Sequence, residues 1–97
     1  MTAYVIYEAI VTDSDQYEKY KEVAAPTVLA AGGRYVVRGG RVESLEGATP
    51  ARVVVLEFPT FEAATAWYHS DEYASARALR ADACDARVFV VDGHNPK

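Results

Sequence analysis

Four short runs of this chain, Ala3 to Ile10, Arg34 to Arg38, Arg52 to Phe58 and Arg87 to Val91, read as strands, are apolar on both alternating faces. A strand in a sheet with one wet face alternates apolar and polar residues, because successive side chains point to opposite sides. Here Val5, Tyr7 and Ala9 point one way while Tyr4, Ile6 and Ile10 point the other. Val53 and Val55 oppose Val54, Leu56 and Phe58, and Val88 and Val90 oppose Phe89 and Val91. Two helical stretches cannot cover both sides of such a sheet. The face they leave bare needs a partner, and a second copy of the chain is the simplest one.

With 97 residues, 51% hydrophobic and 25% charged, the chain is expected to form one domain spanning residues 1–97, since two cores cannot be built from so few residues. A net charge of −4, with the ten basic residues scattered, argues against a nucleic-acid surface, which needs clustered Lys and Arg. No apolar run approaches the ~18 residues of a membrane span, and the opening MTAYVIYEAIVTD lacks the basic start and long apolar stretch of a signal peptide, so a cytoplasmic location is expected. Cys84 stands alone and has no internal disulfide partner.

Along the chain, strand one stops at Thr12-Asp13-Ser14-Asp15, and Asp13 with Gln16 resembles a capping box. A helix then places Tyr17, Tyr20, Ala24, Val28 and Ala31 on one stripe, with a kink or break expected near Ala25 ahead of Pro26. Gly32-Gly33 ends it. Strand two is expected to bulge at Gly39-Gly40 and continue from Arg41 to Leu45, turning at Glu46 to Pro50 into strand three. Folding that hairpin about Ala48 brings Arg38 near Glu57, with the bulge leaving the register open by one or two residues. Thr60 is the cap of a second helix carrying Phe61, Ala64, Trp67 and Tyr68; Ser70 caps a further helical piece reaching toward Asp85. Strand four follows, and Asp92 to Lys97 reads as a polar tail. Two right-handed βαβ halves predict an α+β, ferredoxin-like βαββαβ antiparallel sheet of order 4-1-3-2 with the helices on one face.

The pieces Gly32-Gly33-Arg34-Tyr35, Arg38-Gly39-Gly40, Leu45-Glu46-Gly47, Arg52-Val53-Val54, Glu57-Phe58, Ala64, Trp67-Tyr68, Ser70, Tyr73 and Arg80 together resemble the domain-of-unknown-function family thirteen-thirty over nearly the whole chain. The resemblance implies a dimeric α+β barrel, in a superfamily that also holds cofactor-free monooxygenases and muconolactone isomerase. It implies no established activity. Ala48 departs from the bulkier residue that often follows Glu46-Gly47 in the family.

Glu8, Arg38 and Glu57 are ionisable groups inside strands and need partners if buried. One reading is a structural Arg38–Glu57 ion pair. The other places them on a pocket wall between sheet and helices, where Arg38 clamps a carboxylate, enolate or carbonyl oxygen and Glu57 or Glu8 moves a proton. His69, the titratable group near neutral pH outside the tail, is a candidate acid or base there, or an exposed residue at a helix end. Trp67 and Tyr68, beside the break at Ser70, either belong to the core or open a slot for a planar ligand, with Tyr20 and Tyr35 (and Tyr17 and Tyr73) lining the same cavity. His69, His94 and Cys84 lack zinc spacing, Gly39-Gly40 lacks the rest of a dinucleotide fingerprint, and no phosphate-binding Gly-Lys-Ser/Thr loop is present, so no metal or cofactor is expected. Two functions fit: a homodimeric, cofactor-independent isomerase or monooxygenase acting on a small aromatic or carbonyl acid, or a non-catalytic dimer that binds a small ligand. Dimers could pair further into a dimer of dimers.

Overall fold

The computed structural model describes residues 1–94. The chain runs β1 (Ala3–Val11), α1 (Ser14–Ala30), β2 (Arg34–Arg38), β3 (Arg52–Phe58), α2 (Phe61–His69), α3 (Asp71–Arg80) and β4 (Cys84–Asp92). The strands form one antiparallel sheet of order β2-β3-β1-β4, the expected 4-1-3-2 order read from the other edge.

Each helix begins where a short polar side chain can accept a backbone N–H that has no intrahelical partner. Asp13 Oδ1 accepts from Gln16 N at 3.1 Å, Thr60 Oγ1 from Ala63 N at 3.0 Å and Ser70 Oγ from Tyr73 N at 3.2 Å, as the sequence predicts. At the far end of α1, Gly32 takes φ +86°, which frees Gly33 N to reach back to Val28 O at 2.9 Å. Gly33 then passes so close to the Phe58 ring that a Cβ would lie 2.6 Å from it.

Pairing fixes the two faces. Toward the helices point Val5 and Tyr7, Val54, Leu56 and Phe58, and Val88 and Val90, packed on Tyr17, Tyr20, Ala24 and Val28 of α1 and Trp67, Tyr73 and Ala76 of α2 and α3. Among the described residues no helix or strand covers the opposite face. Across its middle runs an unbroken apolar row through all four strands, Val37, Val55, Ile6 and Phe89, each paired with the next. Ion pairs flank that row, Arg34 Nε to Glu57 Oε1 at 2.6 Å between β2 and β3, and Arg87 Nη2 to Glu8 Oε2 at 3.6 Å between β4 and β1.

Several local expectations are corrected. α1 runs from Ser14 to Ala30 without a break at Ala25 or Pro26, because the buried Ala24 and Val28 on either side hold the helix while the exposed proline forfeits one backbone bond. Ala31 is its exposed cap rather than part of the buried stripe. The bulge lies between Tyr35 and Val37, upstream of the glycines, and no strand continues through Arg41 to Leu45. Gly39 at φ +67° ends β2, and residues 39–51 form an irregular, largely exposed connection. α3 stops at Arg80, well before Asp85, because Ala83 O accepts both Thr12 N (2.8 Å) and Asp13 N (3.0 Å) and draws the chain into β4 by Cys84. Cys84 is therefore a strand residue rather than a helix end. Of the polar tail, Asp92 belongs to β4, and Asn95, Pro96 and Lys97 lie outside the described residues.

Candidate functional site

The sheet and α1 border a partly open cavity of about 30 Å³, room for a water molecule or two. Its walls come from inward positions of three strands and one face of α1. Tyr7 of β1, Val54 and Leu56 of β3, Tyr35 of β2, and Tyr17 and Tyr20 of α1 supply the inner surface, with Trp67 of α2 at one side. Trp67 is fixed there by a bond from its Nε1 to Thr27 Oγ1 at 3.0 Å, while Thr27 in turn donates to Ala24 O at 2.7 Å. Its ring centroid lies 4.1 Å from that of Tyr73.

The cations at this cavity are Arg38, Arg52 and Lys21. Arg38 lies over the Tyr35 ring, 4.3 Å from its centroid, and Arg52 lies 5.6 Å from that of Tyr17. Gly39, which follows Arg38, takes φ +67°, a conformation that favours glycine, and the end of the Arg52 side chain lies against it. Behind the tyrosine wall, Arg80 of α3 is only 9% exposed and sits 5.3 Å from the Tyr7 centroid and 5.5 Å from that of Tyr20. Among the described residues the buried Nε atoms of Arg52 and Arg80 have no hydrogen-bond acceptor. The ion pairs among the described residues are Lys21–Glu18, Arg34–Glu57 and Arg87–Glu8, so Arg38, Arg52 and Arg80 converge on the tyrosine cluster without a carboxylate partner.

The tyrosines are bonded to one another. Tyr17 Oη donates to Tyr7 Oη at 3.2 Å, and Tyr7 Oη lies 3.7 Å from Cys84 Sγ. Tyr20 Oη and Tyr73 Oη are 2.8 Å apart, and Arg80 Nη2 donates to Tyr73 Oη at 3.4 Å. Burial first, and then the neighbouring phenols, push the hydroxyls of Tyr7 and Tyr20 well above the usual tyrosine range despite the opposing pull of Arg80, so both stay protonated at neutral pH. Burial also raises Tyr35, against the pull of Arg38.

Of the residues singled out in the sequence, Tyr20, Tyr35, Arg38 and Trp67 meet at this cavity. Glu57 does not. Arg38 pairs with Val54 and shares the helix-facing side, whereas Glu57 pairs with Arg34 on the bare face, which corrects the expected Arg38–Glu57 proximity. The shift exceeds what one bulge would introduce, because the chain spends residues 39–51 on a wide connection instead of extending the hairpin. Glu8 is on the bare face as well, ion-paired with Arg87. His69 lies at the exposed end of α2, its ring edge-on to Tyr68 at 5.3 Å, and both border a separate groove between α2 and β4. Arg77 covers the Tyr68 ring at 4.6 Å and donates to Tyr68 O at 3.1 Å.

Sequence reasoning passed over Arg52 and Arg80, although both carry a readable signal. Arg52 is in phase with the inward residues Val54, Leu56 and Phe58, and Arg80 falls on the stripe of Tyr73 and Ala76. A charge placed on an otherwise apolar stripe is a buried charge until shown otherwise.

Among the described residues no group of three or more His, Cys, Asp or Glu could hold a metal ion, and no helix is long and apolar enough to cross a membrane.

Solved structures share the fold. A protein of unknown function from Rhodopseudomonas palustris is 20% identical, with 98% of this chain and 84% of that one covered at a TM-score of 0.77. A dimeric ferredoxin-like protein of unknown function from Thermobifida fusca is 18% identical, with 94% and 90% covered and a TM-score of 0.65. SnoaB, a cofactor-independent oxygenase from Streptomyces nogalater, is 8% identical, with 99% and 98% covered and a TM-score of 0.65. No curated protein matches the chain. At these identities the structures show the fold alone. The family model described as Domain of unknown function (DUF1330) matches residues 2–94, and the chain belongs to that family.

Proposed function

We propose that the protein is a homodimer, joined through the bare sheet face, whose tyrosine–arginine cavity binds a small, flat carboxylic or enolic acid. The observation that carries the ligand class is that Arg38 and Arg52 line the cavity, with Arg80 behind its tyrosine wall, and none of the three pairs with a carboxylate among the described residues, in a chain with 14 acidic and ten basic residues. Arg38 is exposed and Arg52 half-buried at the cavity, and an acid arriving as ligand would give both an acceptor in forked geometry. The cavity would take the acidic head group, and a ring behind it would lie against the less buried lining residues Tyr35, Arg38 and Lys21. Self-association is supported by the uncovered apolar row and by the dimeric state of the Thermobifida fusca protein.

The lining favours binding over proton transfer. It offers donors from arginine, lysine and protonated tyrosine, while Glu8, Glu57 and His69 stand elsewhere. A catalytic reading follows from the same donors, which would stabilise negative charge developing on a substrate oxygen, so a substrate that ionises readily could be isomerised or oxygenated without a cofactor. The oxygenase activity of SnoaB is in keeping with that second reading.

Trp67 is the chain's single tryptophan and lies on the cavity wall, so its fluorescence reports occupancy directly. Titration with sodium benzoate and with a series of small aromatic and 2-oxo acids should quench or shift it. Arg38→Ala and Arg52→Ala should each weaken binding by about ten- to a hundredfold, as loss of a charge-assisted hydrogen bond does. Failure of every acid in the series to perturb Trp67, or wild-type affinity in both arginine variants, contradicts the acid reading. Consumption of substrate or oxygen by the wild type would select catalysis over simple binding.

A further inference from the structure

The direction of the hydrogen bonds around Arg80 can be read from what each group is able to do. A guanidinium only donates, so at 3.4 Å from Arg80 Nη2 the Tyr73 oxygen accepts. Tyr73 is fully buried, at 0% exposure, and the oxygen within reach of its own proton is Tyr20 Oη at 2.8 Å. Were Tyr20 to donate instead, the Tyr73 proton would be buried without an acceptor, which forfeits the whole of its lost hydration. Tyr73 therefore donates to Tyr20, and the Tyr20 proton must point away from Tyr73. Tyr20 is the member of this pair that borders the cavity. The second branch has no such proton to offer, because Tyr17 donates to Tyr7, and Cys84 Sγ donates to Arg80 O at 3.9 Å, which leaves Tyr7 to donate to the sulfur.

We infer that Tyr20 presents an oriented hydroxyl proton to the oxygen of whatever occupies the cavity, and that Arg80, acting through Tyr73, is the positioning residue that sets this orientation. The role of Tyr20 toward a ligand rests on the cavity being a ligand site; the orientation itself does not. The arrangement selects ligands whose inner atom is a hydrogen-bond acceptor, a carboxylate, enolate or carbonyl oxygen, over those that place a donor there. Burial holds the Tyr20 hydroxyl well above the usual tyrosine range, so it remains a donor at neutral pH.

Two measurements separate the parts. In protein labelled at the tyrosine rings, hydroxyl-proton exchange by NMR without any ligand should show the Tyr73 proton protected and close to the Tyr20 ring, and the Tyr20 proton exchanging quickly through the cavity. A protected Tyr20 proton with a freely exchanging Tyr73, or equal rates at both, overturns the orientation. With sodium benzoate and Trp67 fluorescence, Tyr20→Phe should weaken binding by about tenfold. Tyr73→Phe, which keeps the ring and never touches the ligand, should also weaken it, and the double variant should be no weaker than Tyr20→Phe alone. Additive losses, or a neutral Tyr73→Phe, overturn the relay. If the wild type does not bind benzoate while the exchange pattern holds, the acid reading falls and the oriented proton stands.

Discussion

The tyrosine hydroxyls are where this structure is most sensitive to pH. Tyr7 and Tyr20 are held protonated by burial and by their phenol neighbours, so their folded-state values lie above those of the unfolded chain. The stability they contribute is full below about pH 10, where unfolded tyrosine ionises, and is lost progressively as the pH rises beyond it. In an alkaline titration, part of the tyrosinate absorbance should therefore appear only together with loss of circular dichroism; all seven tyrosines ionising near pH 10 in an intact fold would contradict this. Glu57 behaves oppositely. The bond from Arg34 holds its carboxyl below the usual carboxylate range, so the pair's contribution is present at neutral pH and fades as the pH falls through that lowered value. At this scale the sequence was informative about residue type and less so about partner. Tyr20, Tyr35, Arg38 and Trp67 were legible as a set because each sits on an inward stripe, whereas the partner of Arg38 depended on a register that a bulge at Tyr35–Val37 and the connection after Gly39 displaced. Arg52 and Arg80 were legible in principle from stripe phase, but a charged residue among apolar neighbours is easily assigned to the solvent side.

Among the elements, the starts of helices were the most readable features, since Asp13, Thr60 and Ser70 act locally and need no tertiary context. Ends were less readable. The stop of α3 at Arg80 is imposed by Ala83 O, which binds the amides at the end of β1, a contact more than sixty residues away in sequence. The packing of α1 against β3 yields a specific expectation at Gly33, whose missing side chain leaves room for the Phe58 ring. Gly33→Ala should lower stability by about 1–3 kcal/mol, because Phe58 is 1% exposed and has little room to yield. Chemical denaturation of the variant with an unchanged midpoint would show that the ring moves aside freely. Ser70→Ala removes the N-cap acceptor of α3 together with the bond from Ser70 Oγ to Trp67 O, and should lower stability by about 1 kcal/mol while loosening the Trp67 side of the cavity.

For the whole molecule, one sheet with helices on a single face leaves the other face to be explained. The feature most evident in the sequence, strands apolar on both sides, reappears as the row Val37, Val55, Ile6 and Phe89, bracketed by Arg34–Glu57 and Glu8–Arg87. An apolar centre with charged surroundings is the make-up of a protein interface, and an isologous pair of such faces is self-complementary by symmetry. Val55→Asp places a charge at the middle of that row, and if two copies meet there it should convert the protein to monomer and lower its melting temperature, while Tyr20, Arg38 and Trp67 on the other face keep their positions. The most direct measurement is sedimentation equilibrium of the wild-type chain over a wide range of concentrations, alongside Val55→Asp. The expected result is a stable dimer for the wild type and a monomer for the variant; a well-folded wild-type monomer at every concentration, with its bare sheet face in water, would contradict the pairing of two copies through that face.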